Sequence, residues 1–319
     1  MLQGEVEWLL SSQLPGGAIA QTPDHQLVIP YFSNLAAAAL LPYAPGRVKD
    51  YLLWYLDHLN DPDRWGLSGT IYDYQMRAGV LEPTMNYDSA DSYAATFLSL
   101  VRQYVVATGD AGFARDNLAS LHMIASVITG LQDRDGLVWA KPTHRVKYLM
   151  DNAENYRGLR DWAWLLEHLG LPEAAEEAGT RADLVRQGLE SRLWDTGNEE
   201  YYWSDGLLGR RRVRTGRWYP DYVSQLYPLL NGLMDPDDQR ALSAYNRIAG
   251  DFPRWHQGEL PDLFPWALVA YAAALIGQQE AAREYLLTVA AGFARNGRPY
   301  PWYILESAYT IRTIELLGE

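Results

Sequence analysis

The chain has no cysteine, which removes disulfides, thiolate metal sites and a cysteine nucleophile together. Positive charge is scarce too. Its 27 Lys and Arg stand against 40 Asp and Glu, a formal charge of −13, and a phosphate backbone needs a cationic footprint that this composition lacks. No nucleic-acid partner is expected. The N-terminal MLQGEVEWLLSSQLPGGAI carries acids rather than Lys or Arg ahead of its apolar residues, and no apolar run approaches membrane-spanning length. These features predict a cytoplasmic protein without a membrane partner. The six histidines (His25, His58, His122, His144, His168, His256) include no pair at metal-ligand spacing on a helix. GxGxxG, phosphate-loop, HExxH and GxSxG patterns are missing as well, so neither a cofactor nor a metal is expected. Asp133-Arg134-Asp135-Gly136 has calcium-loop letters in the wrong register, with Leu131 at the first ligand position, and reads as a turn.

Aromatic residues are plentiful: 12 Trp, 22 Tyr and 6 Phe, spread evenly enough to offer no break between domains. Residues 1–319 read as a single domain, because one pattern repeats along the whole chain. Six helices with polar-aromatic starts begin near Tyr31, Asp88, Asp151, Tyr219, Asp262 and Trp302, each separated from the next by an ordinary amphipathic helix. The spans predicted for them are 31–43, 88–108, 151–170, 219–233, 262–276 and 301–317. The alternating helices are predicted over 1–14, 47–60, about 111–131, 172–194, 236–249 and 279–295. These twelve helices make six hairpins. The expected fold is all-α, a closed toroid of six inner and six outer helices with the long loops gathered at one rim. One of those loops, residues 64–87, holds GLSGTIYDYQM, which alternates in the manner of a short strand or hairpin.

Carboxylates collect at the starts of the expected inner helices: Asp88, Asp91, Asp151, Glu154, Asp221, Asp262 and, one turn into the last helix, Glu306. Beside them lie Tyr31, Tyr74, Tyr87, Tyr156, Trp218, Tyr219, Trp302 and Tyr303, with Asn34 in the first polar start. Paired carboxylates and aromatic platforms are what glycosidic bond cleavage requires. One acid protonates the leaving oxygen, a second carboxylate activates water or attacks, and ring faces pack on the sugar. Plainer roles compete for each acid. Asp88 suits an N-cap, Asp151 with Glu154 has capping-box spacing, and Asp262 follows Leu260-Pro261 where a cap belongs. Glu306 sits inside a helix, where no cap explains it. Two basic loops, Lys141–Lys147 and the arginines 210–217, would suit an anionic sugar.

The hairpin count and these rim residues together resemble the six-hairpin glycosidase superfamily, the (α/α)6 toroid enzymes. NYDSADSYAATFL and YLMDNAENYRGL are similar to the starts of inner helices that carry catalytic carboxylates in the unsaturated-uronide hydrolases. The resemblance implies a glycoside hydrolase acting on an oligosaccharide, with Asp151 as general acid and Asp88 or Asp91 as its partner, and Asp221 and Glu306 in reserve. Tyr31, Asn34, Tyr74, Tyr87, Lys147, Glu154, Trp218, Tyr219, Trp302 and Tyr303 would then bind substrate. A sugar epimerase using His144 or His256, and a sugar-binding protein without catalysis, are the alternatives on the same fold.

Overall fold

The computed structural model describes residues 1–318. Helix α1 (Leu2–Ser11) is followed by α2 (Pro30–Leu40) and α3 (Pro45–Asp57), then α4 (Ala90–Thr108) with α5 (Ala111–Asp116) and α6 (Leu118–Leu131). Next come α7 (Leu149–His168) with α8 (Pro172–Gly188), α9 (Tyr227–Leu230) with α10 (Gln239–Asp251), α11 (Ala267–Leu275) with α12 (Gln279–Gly292), and α13 (Ile304–Leu317). The ring closes on itself. Helix α2 packs on α4, α4 on α7, α7 on α9 and the turn before it, that turn on α11, α11 on α13, and α13 back on α2. An outer layer of α1, α3, α6, α8, α10 and α12 packs around this ring. The chain therefore forms an (α/α)6 toroid, with the last hairpin made by its two ends, α13 and α1.

Sequence dictates where the ring is tightest. A Cβ on Gly158 of α7 would lie 2.6 Å from the Cα of Ala95 on α4, so only glycine lets these two helices approach this closely. That contact draws their N-terminal ends together. Both helices bury long faces, from Ala90 to Val105 and from Leu149 to Leu166.

Two inner helices depart from expectation. The helix expected over 219–233 is broken into a wide turn at Trp218–Tyr222, a 3-10 turn at Val223–Leu226 and the short α9, with Tyr219 extended at φ −117° and ψ 137°. Pro220 explains the first break, since it pushes Tyr219 before it away from helical angles, while Pro228 removes an N–H in the first turn of α9 and leaves Tyr227 helical at φ −63° and ψ −35°. The helix expected from Asp262 begins only at Ala267, because Phe264 precedes Pro265 and Trp266 turns the chain with a left-handed φ of 59°. The rim hairpin is β2 (Tyr74–Arg77) with β3 (Val80–Pro83), joined by Ala78 and Gly79 at φ 49° and 82°. Two consecutive positive φ values are what a tight two-residue hairpin turn demands. The alternating stretch foreseen at 66–76 supplies only its first strand, and β1 (Leu27–Val28) pairs alongside. A second rim sheet joins β4 (Val146–Tyr148) to the hairpin β7 (Ser204–Gly206) and β8 (Gly209–Arg211), while β5 (Trp194–Asp195) pairs with β6 (Glu200–Tyr201).

Candidate active site

All six inner elements begin at the same end of the toroid. A cavity of about 380 Å³ opens there, lined by residues from each of them: Tyr31, Tyr93, Asp151, Tyr227, Leu268 and Leu305 among others. It shares Phe32, Tyr219, Trp266 and Tyr303 with a wider basin of about 900 Å³ nearer the surface. Its floor is closed. Glu154 lies between this cavity and a separate chamber of about 500 Å³ at the opposite end of the ring, and the Tyr31 hydroxyl donates to its Oε1 across the axis at 2.6 Å.

Inner helices normally leave their first N–H groups seeking partners. Here those partners come from other parts of the fold. Ala90 N–H donates to the Ala140 carbonyl, Leu149 N–H to that of Trp203, Ile304 N–H to that of Gln21, and Ala267 N–H to Glu306 Oε2 at 2.7 Å. None of α4, α7, α11 or α13 has a side-chain cap of its own. Asp88 and Asp151 are thus not caps, and Glu154 does not close a capping box. Asp262 accepts from Phe264 N–H within a turn that precedes the helix rather than starting it.

The carboxylates around the cavity differ in their access to water. Asp88 is exposed at the mouth and Asp151 is buried one helix away. Burial, with the nearby charge of Asp88, raises the pKa of Asp151 to about 6 despite a hydrogen bond from Ser89 that opposes the rise. Glu154 is raised to about 8, first by burial and then by the charge of Asp151. Asp73, on the loop before β2, is raised to about 7 by burial while the Tyr93 hydroxyl donates to it at 2.8 Å. One carboxyl stands behind the wall. Asp91 is fully buried, reached from Ser89 at 2.8 Å and from the Asn155 amide at 2.7 Å.

Of the residues expected at the site from sequence, Tyr31, Asp88, Asp151, Glu154, Tyr219 and Tyr303 line the cavity, and Trp302 lines the outer basin with its indole N–H held by Ser307. The others lie elsewhere. Asn34 lines the opposite chamber and bonds Thr96 and the Tyr93 carbonyl. Tyr74 packs against Trp54 and His58. Tyr87 is buried and donates to Asp63, which also holds Thr70, Trp65 N–H and Leu67 N–H and so knots the long rim loop. Lys147 is clamped by Asp133 and Asp135 at 2.7 Å over the Trp139 ring. Trp218 packs between Phe252 and Trp266. Asp221 accepts from Arg214 N–H and faces Arg217, stapling the arginine loop. Glu306 is spent on α11, as described, with burial raising its pKa to about 7. Sequence reasoning passed over Asp73, Ser89, Tyr93, Tyr227 and Trp266. Asp73 carries no helical period to mark it; its place follows from backbone bonds to Asn86 and Thr84 across the loop.

No family model matches the chain, and no curated protein matches it. Solved structures do. A glycosidase variant in complex with glucose superposes with a TM-score of 0.68 at 13% identity, over 99% of this chain and 96% of that one. The GH63 mannosylglycerate hydrolase of Thermus thermophilus, also in complex with glucose, gives 0.68 at 16% over 99% of both chains. An uncharacterised conserved protein of the same organism gives 0.67 at 17% over the full length of both. At such identities the likeness establishes the fold alone, an (α/α)6 toroid. Among the described residues no group of His, Asp and Glu is arranged to hold a metal ion, and no helix is long and apolar enough to cross a membrane.

Proposed function

We propose that the protein is a glycoside hydrolase that takes the terminal unit of a neutral oligosaccharide into the closed cavity. The observation that carries this reading is the pairing of a buried Asp151, whose pKa burial raises to about 6, with a water-exposed Asp88 in one aromatic-walled pocket. Asp151 donates its proton to the glycosidic oxygen as the bond to the anomeric carbon breaks. Asp88 takes a proton from the attacking water or stabilises the positive charge at that carbon. Tyr219, Trp266 and Tyr303 supply ring faces for the sugar and lead outward to the basin, where the rest of the substrate lies. A floor closed by Glu154 and Tyr31 favours removal of end units over internal cleavage.

Neutral substrate is favoured over anionic because every ionisable residue lining the cavity is an Asp, a Glu or a Tyr. Three cations of the basic loops are committed elsewhere: Lys147 to Asp133 and Asp135, Arg212 to Asp195, Arg217 to Asp221. The epimerase alternative loses its proton-transfer groups, for His144 meets Tyr148 at the surface and His256 meets Glu284, and neither lines the cavity.

The test is turnover of neutral, uronic and unsaturated-uronide oligosaccharides by wild type and Asp151→Asn, followed by release of reducing ends, with thermal shift for binding. Neutral substrates should be cleaved by wild type and bound but scarcely cleaved by the variant. Binding without cleavage by either protein would replace the hydrolase with a sugar-binding protein.

A further inference from the structure

One hydroxyl at the site bridges two carboxyl groups. Ser89 Oγ lies 2.8 Å from Asp91 Oδ1 and 2.7 Å from Asp151 Oδ2. A serine hydroxyl has one hydrogen and an ionised carboxylate has none, so two such short contacts on a single oxygen require a second hydrogen, and only a carboxyl can bring it. Asp91 is 0% exposed and its other oxygen accepts from Asn155 Nδ2 at 2.7 Å. It can neither meet a substrate nor exchange its proton directly with water. The Asn155 carbonyl oxygen is itself buried without a partner.

We propose that Asp91 and Asp151 share one proton through Ser89, so that Asp91, without touching substrate, sets whether Asp151 is ready to act as an acid. This rests on the assignment of Asp151 as the general acid. The chain has two arrangements of equal charge. In one, Asp91 is the carboxylic acid, donating to Ser89, which donates to Asp151 carboxylate. In the other, each hydrogen has moved one oxygen along, leaving Asp91 as the carboxylate held by Asn155 and Asp151 as the acid. When Asp151 then protonates a leaving oxygen, both carboxyls are ionised until the proton released by the attacking water returns. Two like charges this close keep that state short-lived and favour return to the pair of the proton that Asp88 takes from the water. The buried setting of both groups, which opposes their ionisation, acts in the same sense.

The experiment is a 13C titration of the aspartate carboxyls in the full-length protein, with Asp151 assigned by its loss in Asp151→Asn, repeated in Asp91→Asn and Ser89→Ala. In wild type the Asp151 signal should titrate in two linked steps. In Asp91→Asn it should collapse to one step at lower pH, and the alkaline limb of kcat should move down by about one pH unit, costing about tenfold at pH 7 and little at pH 5. Ser89→Ala keeps both carboxyls and should uncouple their titrations, a result that does not depend on Asp91→Asn folding. A single-step Asp151 titration in wild type, or an Asp91→Asn enzyme slowed equally at every pH with its Asp151 titration unmoved, would overturn the shared proton and leave Asp91 as packing. A linked titration in a protein that cleaves no glycoside would sink the hydrolase reading and leave the shared proton standing.

Discussion

Glu154 has one oxygen held by Tyr31 and the other, Oε2, buried without a partner at the cavity floor. A buried polar atom left unpaired costs about 1–3 kcal/mol, and because Glu154 lines the cavity, a ligand seated there toward which its carboxyl turns would complete the missing bond. With its pKa raised to about 8, Glu154 is protonated at neutral pH and can donate a hydrogen bond to a sugar hydroxyl. Glu154→Gln offers an amide N–H in the same place and should leave KM within about threefold of wild type, while Glu154→Ala should raise it about 10–100-fold, the equivalent of one lost bond to a buried partner. Isothermal titration with the cleaved sugar would separate the two. Equal losses in both variants would mean that the carboxyl matters for its charge and not as a donor. Asp88 and Asp151 differ from Glu154 in kind, since replacing either by Asn should lower kcat about 100-fold or more with modest change in KM.

At the scale of helices, the contact between α4 and α7 sets the distance between the two acids. Gly158→Ala places a methyl 2.6 Å from the Ala95 backbone, so the helices must part, at about 1–3 kcal/mol in stability, and kcat should fall although no residue of the cavity has changed. Chemical denaturation and steady-state kinetics on the one variant check both. Helix α11 supplies a second case. Glu306→Ala removes the acceptor for Ala267 N–H and should destabilise by about 2 kcal/mol, whereas Glu306→Gln keeps an acceptor and should cost less than half of that. These two cases also mark what the sequence could and could not reveal. Periodicity was enough for the ring, because the apolar residues of α4 at three- and four-residue spacing, Phe97, Leu98, Val101 and Val105, are all buried. It also located Asp88 and Asp151, because inner helices begin at one rim. It failed at α9 and α11, where prolines outvote the apolar pattern, and at the rim aromatics, since Tyr87 and Trp218 look alike in sequence whether they face a sugar or a neighbouring side chain. Caps were misjudged for a related reason: a carbonyl from Ala140 or Trp203 does the work that a local side chain was expected to do, and no local pattern announces it.

For the whole molecule, the cluster of buried acids links function to stability. Asp73, Asp151, Glu154 and Glu306 stand at about 7, 6, 8 and 7 in the folded chain against ordinary values of 3.8 for Asp and 4.5 for Glu. Between pH 4 and pH 8 the folded protein therefore binds more protons than the unfolded one. Stability must fall as pH rises through that window, because unfolding releases the strain of ionising these groups in a buried site. Asp63, Asp110 and Asp133 pull the other way only at lower pH, since their folded pKa values lie below the ordinary one and their contribution is lost as pH drops through them. The melting temperature should accordingly be highest near pH 5 and lower by about 4 °C or more at pH 8. Neutral replacements at the cluster, Asp73→Asn with Glu154→Gln, should flatten the decline by raising the pH 8 value rather than lowering the pH 5 one. Scanning calorimetry across that range decides it. A melting temperature that climbs from pH 5 to pH 8 would mean that these carboxyls are ionised in the resting protein, and Asp151 would then lack the proton that its role as general acid demands.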